Sequence, residues 1–399
     1  MSGKERLSGI ELLKIVSLFL IVLYHVTQTL SQFEEAVPYN DYVVLLGCSS
    51  ADVQIVILNI LKQLGGVGNN IFFACSAWFM IPTPTTTSNT SERLKTLIFA
   101  DRNHDKYMPI CQKAFRLACT VWGVSVFFLP IFLTTYADGI SRDIIIRSLL
   151  PTCFANNWYI TCYIIFLFVY PLLNSLITSI GQKKHLRIVV FTSLIWIFAD
   201  WVKNDFFFPS RVILWITIYF LISYLKLYCA GLMNNKRTGL IILLIGILGM
   251  IGQVVITNYV GLHISDSFSN RILLWDSNCN PFYIMIAIGG VIVFLQLNIH
   301  SKMINEISGL SLLVYLIHEN ILLRTYVRPM IWQYIYTHLG YDRLLLWDIV
   351  YAILLFGVSL LISFVYKCTI QKLVLMISKR LYIFISRVYT KLEDFLLSL

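Results

Sequence analysis

Polar residues fall along this chain in clusters, and the runs between them are long and apolar. About ten stretches of roughly 17–25 mostly apolar residues recur from end to end, each enough as helix to cross a ~30 Å hydrocarbon layer. They lie at 10–30, 66–82, 115–136, 158–180, 187–203, 211–229, 239–258, 281–298, 307–323 and 345–366. The pattern predicts an all-α fold, a polytopic transmembrane helix bundle. Lys4 and Arg6 precede the first run, whereas the next interval holds Glu34, Glu35, Asp41, Asp52 and a single lysine, Lys62. Basic intervals then alternate with poorer ones: Arg93, Lys95, Arg102, Lys106 and Lys113; Lys183 and Lys184; Lys236 and Arg237; and the C-terminal run from Lys367 to Lys391. Because Lys and Arg concentrate on the cytoplasmic side, both termini are expected there.

Composition excludes the soluble alternative. Of 399 residues, 58% are hydrophobic and only 13% are charged, more apolar surface than one or two water-soluble cores can absorb. The net charge of +10 follows from the loop asymmetry, so it points to anionic lipid headgroups and no nucleic acid. The first run has a basic start but is long and lacks a small-x-small cleavage site, which marks it as retained. Residues 1–366 are expected to form the transmembrane domain. Residues 367–399, where Lys and Arg recur among apolar side chains, form a basic amphipathic cytoplasmic tail. "IPTPTTTSNTSERLK" at 81–95 reads as a polar linker. The nine cysteines show no C-x-x-C and no zinc-type spacing; Cys48, Cys153 and Cys279 fall in outer intervals, free or paired. No metal is expected on the scattered histidines.

Within "IELLKIVSLFLIVLYHV" three side chains resist a bilayer: Glu11, Lys14 and His25. At ~100° per residue, eleven residues close three turns to within ~20°, so Lys14 and His25 share a helix face. Glu11 stands one turn before Lys14, where an ion pair can form. Lys14 alone can snorkel to the inner headgroups; an imidazole deep in the span either satisfies a neighbouring carbonyl or, on the same stripe as two charges, marks a functional position.

These residues carry a resemblance. "GIELLKIVSLFLIVLYHV" is similar to the first helix of the acyltransferase-3 family, in which an Arg or Lys is followed after ten residues by a His. "GVGNNIFFACSAWFMI" (66–81), "NWYITCYIIFLFVYPLLNSLI" (157–177) and "INEISGLSLLVYLIHENILLR" (304–324) resemble further family segments in the same order. Lys113-Ala-Phe-Arg116 replaces a family Arg-x-x-Arg, and Ala77 stands where Gly is usual.

The resemblance implies an integral-membrane O-acyltransferase of the cytoplasmic membrane. Such an enzyme moves an acyl group, most often acetyl, from acyl-CoA to a hydroxyl of a cell-surface glycan or its lipid-linked precursor. It implies no permanently bound cofactor, acetyl-CoA being a donor substrate. His25 would serve as general base or as transient acyl acceptor, with Glu11 and Lys14 orienting the inner end of the cavity or meeting the donor. Lys113 and Arg116 would dock the donor phosphates. Tyr315, His318 and Glu319 would contact the acceptor sugar or mark the water interface; Tyr159 and Tyr163, with Trp158, form an aromatic belt that can also stack on sugars. Asn69 and Asn70, after Gly65, Gly66 and Gly68, mark a possible break in the second span. Arg324 and Arg328 are expected on a solvated outer rim, and Gly246, Gly249 and Gly252 in helix packing. A polytopic transporter or flippase for a glycan or small anionic solute is the alternative.

Overall fold

In the computed structural model, residues 8–31, 46–82, 104–135, 139–154, 156–202, 211–269 and 278–397 are described, with the backbone alone at 31, 104–109, 199–202, 389 and 392–397. Lys4, Arg6, Glu34, Glu35, Asp41, Arg93, Lys95, Arg102 and most of the 81–95 linker lie outside them.

The described residues are helical, with no strand among them. Helix α1 spans Ser8–Ser31, α2 Val53–Leu61, α3 Leu64–Met80, α4 His104–Thr135, α5 Arg142–Leu149, α6 Trp158–Val202 and α7 Arg211–Tyr228. A one-turn α8 (Ala230–Met233) leads to α9 (Lys236–His263), α10 (Pro281–Leu295), α11 (Lys302–Ser308), α12 (Ser311–His318), α13 (Arg328–Leu339) and α14 (Leu344–Leu397). Six of them, α1, α4, α6, α7, α9 and the one ending the chain, are long and apolar enough to cross a membrane by length and composition.

The other predicted spans differ in instructive ways. The second is α3, with 17 residues, and the eighth is α10, with 15, both shorter than the six. The fifth is joined to the fourth within α6, where Gly181 at φ 69° breaks the helical path; a left-handed residue there favours glycine. The ninth is not one helix: α12 ends at His318, Glu319 and Asn320 interrupt it, and a π-helical turn, Leu323–Val327, leads into α13. Irregular backbone inside a membrane protein is tolerated where protein covers it, and Glu319 and Asn320 are buried. The tail is a continuation of α14, which runs past residue 366 unbroken; Val374 packs beside Gly123 of α4, and Tyr382 meets Phe115 at 6.1 Å between ring centroids.

Helix α1 forms the axis of the assembly, touching α3, α10, α11, α12, α13 and α14. The glycines of α3 explain how closely it docks. A Cβ on Gly68 would stand 2.6 Å from the Ser17 carbonyl oxygen, and one on Gly65 would strike the Tyr24 ring. The break expected near Asn69 and Asn70 is absent; α3 is continuous, because these glycines serve backbone approach to α1 instead of unwinding. Asn70 donates to the Asn278 carbonyl at 2.9 Å, using its polarity to hold the segment leading into α10. In α9, Gly246 and Gly249 abut Phe282 and Ile286 of α10, whereas Gly252 faces nothing within 4 Å.

Candidate active site

The N-terminal part of α1 presents the expected ion pair. Lys14 Nζ lies 3.4 Å from Glu11 Oε1 and 5.4 Å from the Phe79 ring centre. The other carboxylate oxygen of Glu11 accepts from the Ser308 hydroxyl at the end of α11. Both charged groups are thus partnered within the bundle, with side chains only 19% and 12% exposed.

Eleven residues on, about 16.5 Å along the axis at 1.5 Å per residue, His25 meets the interrupted segment between α12 and α13. Its Nδ1 lies 3.2 Å from His318 Nε2 and 3.3 Å from Glu319 Oε1. The helix break generates this contact, since ending α12 at His318 lets that side chain and the next one both turn toward α1. Asn320 then restarts the helix, its side-chain oxygen accepting from the Leu322 N–H at 3.0 Å as an N-cap does. Arg328 completes the group, donating to Glu319 Oε1 at 2.6 Å, to the His318 carbonyl and, at 3.4 Å, to the His25 carbonyl. Arg324 stands 3.6 Å from the other Glu319 oxygen. Outer-rim placement is therefore wrong for Arg328, which is only 6% exposed: a carboxylate buried nearby demands a cation.

Hydrogen bonding fixes the tautomers. His318 Nδ1 lies 2.8 Å from the Val314 carbonyl, which can only accept, so in the neutral ring Nε2 carries the lone pair. His25 Nδ1 faces that lone pair and a carboxylate oxygen, both acceptors, and must hold the proton. Neutral His25 consequently keeps Nε2 as its basic nitrogen. With the carboxylate at Nδ1, the ring is suited to accepting one proton at Nε2, and Glu319 to stabilising the resulting imidazolium.

The donor atoms of His25, His318 and Glu319 lie within 4.8 Å of one another, a spacing that one ion could bridge. Arg328 and Arg324 already supply positive charge to Glu319, and two guanidiniums oppose a dication there. We read the group as a hydrogen-bonded cluster.

Neighbouring helices lock the site from behind. Trp332 of α13 donates to the Val26 carbonyl at 2.9 Å. Thr27 Oγ1 lies 2.9 Å from the Leu23 carbonyl and 2.7 Å from Asp348 Oδ2 of α14. One hydroxyl proton serves one acceptor, so both contacts are satisfied when Asp348 donates the second as a neutral acid.

Beside the cluster is a cavity of about 200 Å³ lined by Leu18, Ile21, Phe72, Lys113, Tyr159, Tyr163, Ser311 and Tyr315, among others. Ile21 sits one turn before His25 on α1, and the Tyr315 ring lies edge-on to His318 at 5.8 Å. Four of the residues singled out from sequence, Lys113, Tyr159, Tyr163 and Tyr315, therefore share one wall system. Arg116 does not join them; it is exposed and lines no part of the cavity. Tyr159 is buried against Phe72 and Trp215, in place of the expected belt at a helix entrance. Cys48, Cys153 and Cys279 are free thiols.

An all-helical bundle with membrane-length apolar helices and a histidine–carboxylate cluster between its first helix and the break after α12 defines the class of an integral-membrane protein with an internal polar site. A family model for the acyltransferase domain of the acyltransferase-3 family matches residues 7–368. The chain belongs to that family and is a membrane acyltransferase. No curated protein and no solved structure matches it.

Proposed function

We propose that this protein is an O-acyltransferase that moves an acyl group, acetyl in the first instance, from acyl-CoA to a hydroxyl of a cell-surface glycan or its lipid-linked precursor. Both termini and the basic tail at 367–399 would lie on the cytoplasmic side of the cell membrane, the tail resting on anionic headgroups. The observation that carries the reading is the position of His25 Nδ1 between Glu319 Oε1 at 3.3 Å and His318 Nε2 at 3.2 Å.

A hydroxyl is a weak nucleophile at neutral pH. In the direct course, His25 Nε2 accepts the hydroxyl proton as the oxygen attacks the thioester carbonyl carbon. Glu319 then faces an imidazolium instead of a neutral ring, and that interaction strengthens as the transition state forms. The tetrahedral intermediate collapses with cleavage of the C–S bond. The thiolate leaves with the proton from His25, giving ester and free CoA thiol. The Glu11–Lys14 pair orients the inner end of the path.

The test uses purified full-length protein with acetyl-CoA and a glycan acceptor. Stoichiometric appearance of free thiol and acetyl ester supports the reading. Movement of the glycan or of a small anion across a vesicle membrane, with no ester formed, contradicts it and favours a transporter.

A further inference from the structure

The helix break that brings Glu319 to His25 also borders a second, smaller cavity. It lies between α4, the segment joining α5 to α6 and the end of α12, and it holds about 10 Å³, the space one water-sized group fills. Four of its nine lining residues, Ser125, Asn156, Asn157 and Asn320, are polar, and none is charged. An ion would find no counter-charge in such a place, so the wall favours a neutral polar occupant.

Two amides narrow its chemistry further. Asn156 donates its NH₂ to the Arg147 carbonyl at 2.7 Å; a carbonyl only accepts, so the Asn156 oxygen is left over. Asn320 Oδ1 accepts from the Leu322 N–H at 3.0 Å, so the Asn320 NH₂ is left over. Both residues are buried, yet neither leftover atom is sealed by packing, and neither has a partner among the described residues. An occupant that meets both donates to Asn156 and accepts from Asn320. A hydroxyl does both, whereas a carbonyl oxygen only accepts and an amide N–H only donates. Position then selects the hydroxyl. Asn320 follows Glu319 directly, with Cα atoms about 3.8 Å apart, so the cavity stands at the same break as the carboxylate that holds His25. A glycan presents several hydroxyls, and one can sit here while another meets the imidazole.

We infer that this cavity is a hydroxyl-binding subsite for the glycan acceptor, in which Asn156 accepts from, and Asn320 donates to, a hydroxyl other than the one acylated. The inference rests on the O-acyltransferase reading above. It adds Asn156 and Asn320 to the acceptor contacts expected of Tyr315, His318 and Glu319.

The two Michaelis constants test the subsite. Full-length protein in detergent micelles is assayed by free-thiol release with acetyl-CoA as donor and the cell's own surface glycan, stripped of esters by mild alkali, as acceptor. Asn320→Ser keeps an oxygen for the Leu322 N–H and removes the amide donor. Val124→Ile adds one methyl group at the cavity wall and fills the space. Each should raise KM for the glycan several-fold, to about tenfold for a well-made bond, and leave KM for acetyl-CoA at the wild-type value. Thermal unfolding of each protein is followed in parallel. An unchanged glycan KM in both variants, with thiol still released, gives the cavity to a structural water and overturns the inference while the O-acyltransferase reading stands. A rise in both Michaelis constants together with a lowered unfolding temperature assigns the two amides to holding the α12 break in shape, and overturns it too. A wild type that releases no thiol overturns the O-acyltransferase reading and the subsite with it.

Discussion

His25 on the first helix and Glu319 at the break after α12 stand 3.3 Å apart, Nδ1 to Oε1, although 294 positions separate them in the sequence, from 25 to 319. The carboxylate fixes which nitrogen of the imidazole carries the proton, and thereby which is basic.

Replacing Glu319 with Gln keeps the shape and removes the charge that stabilises an imidazolium. The amide can also present its NH₂ to His25 and reverse the tautomer. Transfer should slow by about 10²–10⁴, the range over which a positioned acid–base group contributes. Initial rates of thiol release, with protein folding checked by size-exclusion chromatography, measure it.

Arg328 answers Glu319 and both flanking carbonyls at once. Arg328→Met leaves a buried carboxylate with only the more distant Arg324, and should destabilise the protein by about 3–5 kcal/mol. Arg328→Lys should fall between, because a lysine cannot reproduce the forked contacts. Thermal unfolding in detergent ranks the three proteins.

The neutral-acid assignment for Asp348 makes a paired forecast. Asp348→Asn retains a donor to Thr27 and should leave stability within about 1 kcal/mol of wild type. Thr27→Val leaves the Asp348 carboxyl without its partner and should cost about 1–3 kcal/mol. If Asp348→Asn is the more damaging of the two, the carboxyl is held charged and the assignment is wrong. Denaturation curves decide.

At Gly68, even a methyl meets backbone. Gly68→Ala places a carbon 2.6 Å from the Ser17 carbonyl oxygen, and forcing α3 away from α1 should cost about 1–3 kcal/mol. Unfolding midpoints for this variant and for Gly252→Ala, where no atom lies within 4 Å, should differ in that direction.

Helix class and the placement of α1, α4 and α7 were legible from apolar run length, because a bilayer dictates how long a crossing helix must be. The site was half legible. Lys14 and His25 stood out as polar groups on one stripe, and "HEN" at 318–320 stood out as a polar cluster in an apolar run. What the sequence hid was that this cluster ends a helix and folds back onto His25, a tertiary event with no local period. Arg328 was misplaced because its pairing with Glu319 is tertiary; the signal available was two arginines four apart, at 324 and 328, following a carboxylate in an apolar run. The glycines of α3 misled because glycine permits both unwinding and close approach, and only the neighbouring α1 backbone chooses between them.

In the proposed reaction the imidazole on α1 moves the proton during acyl transfer. The most direct test compares initial rates of free-thiol release from acetyl-CoA, with a glycan acceptor present, for the wild type and His25→Ala at equal amounts of folded protein. A fall of at least about 100-fold is predicted; an unchanged rate would contradict the account.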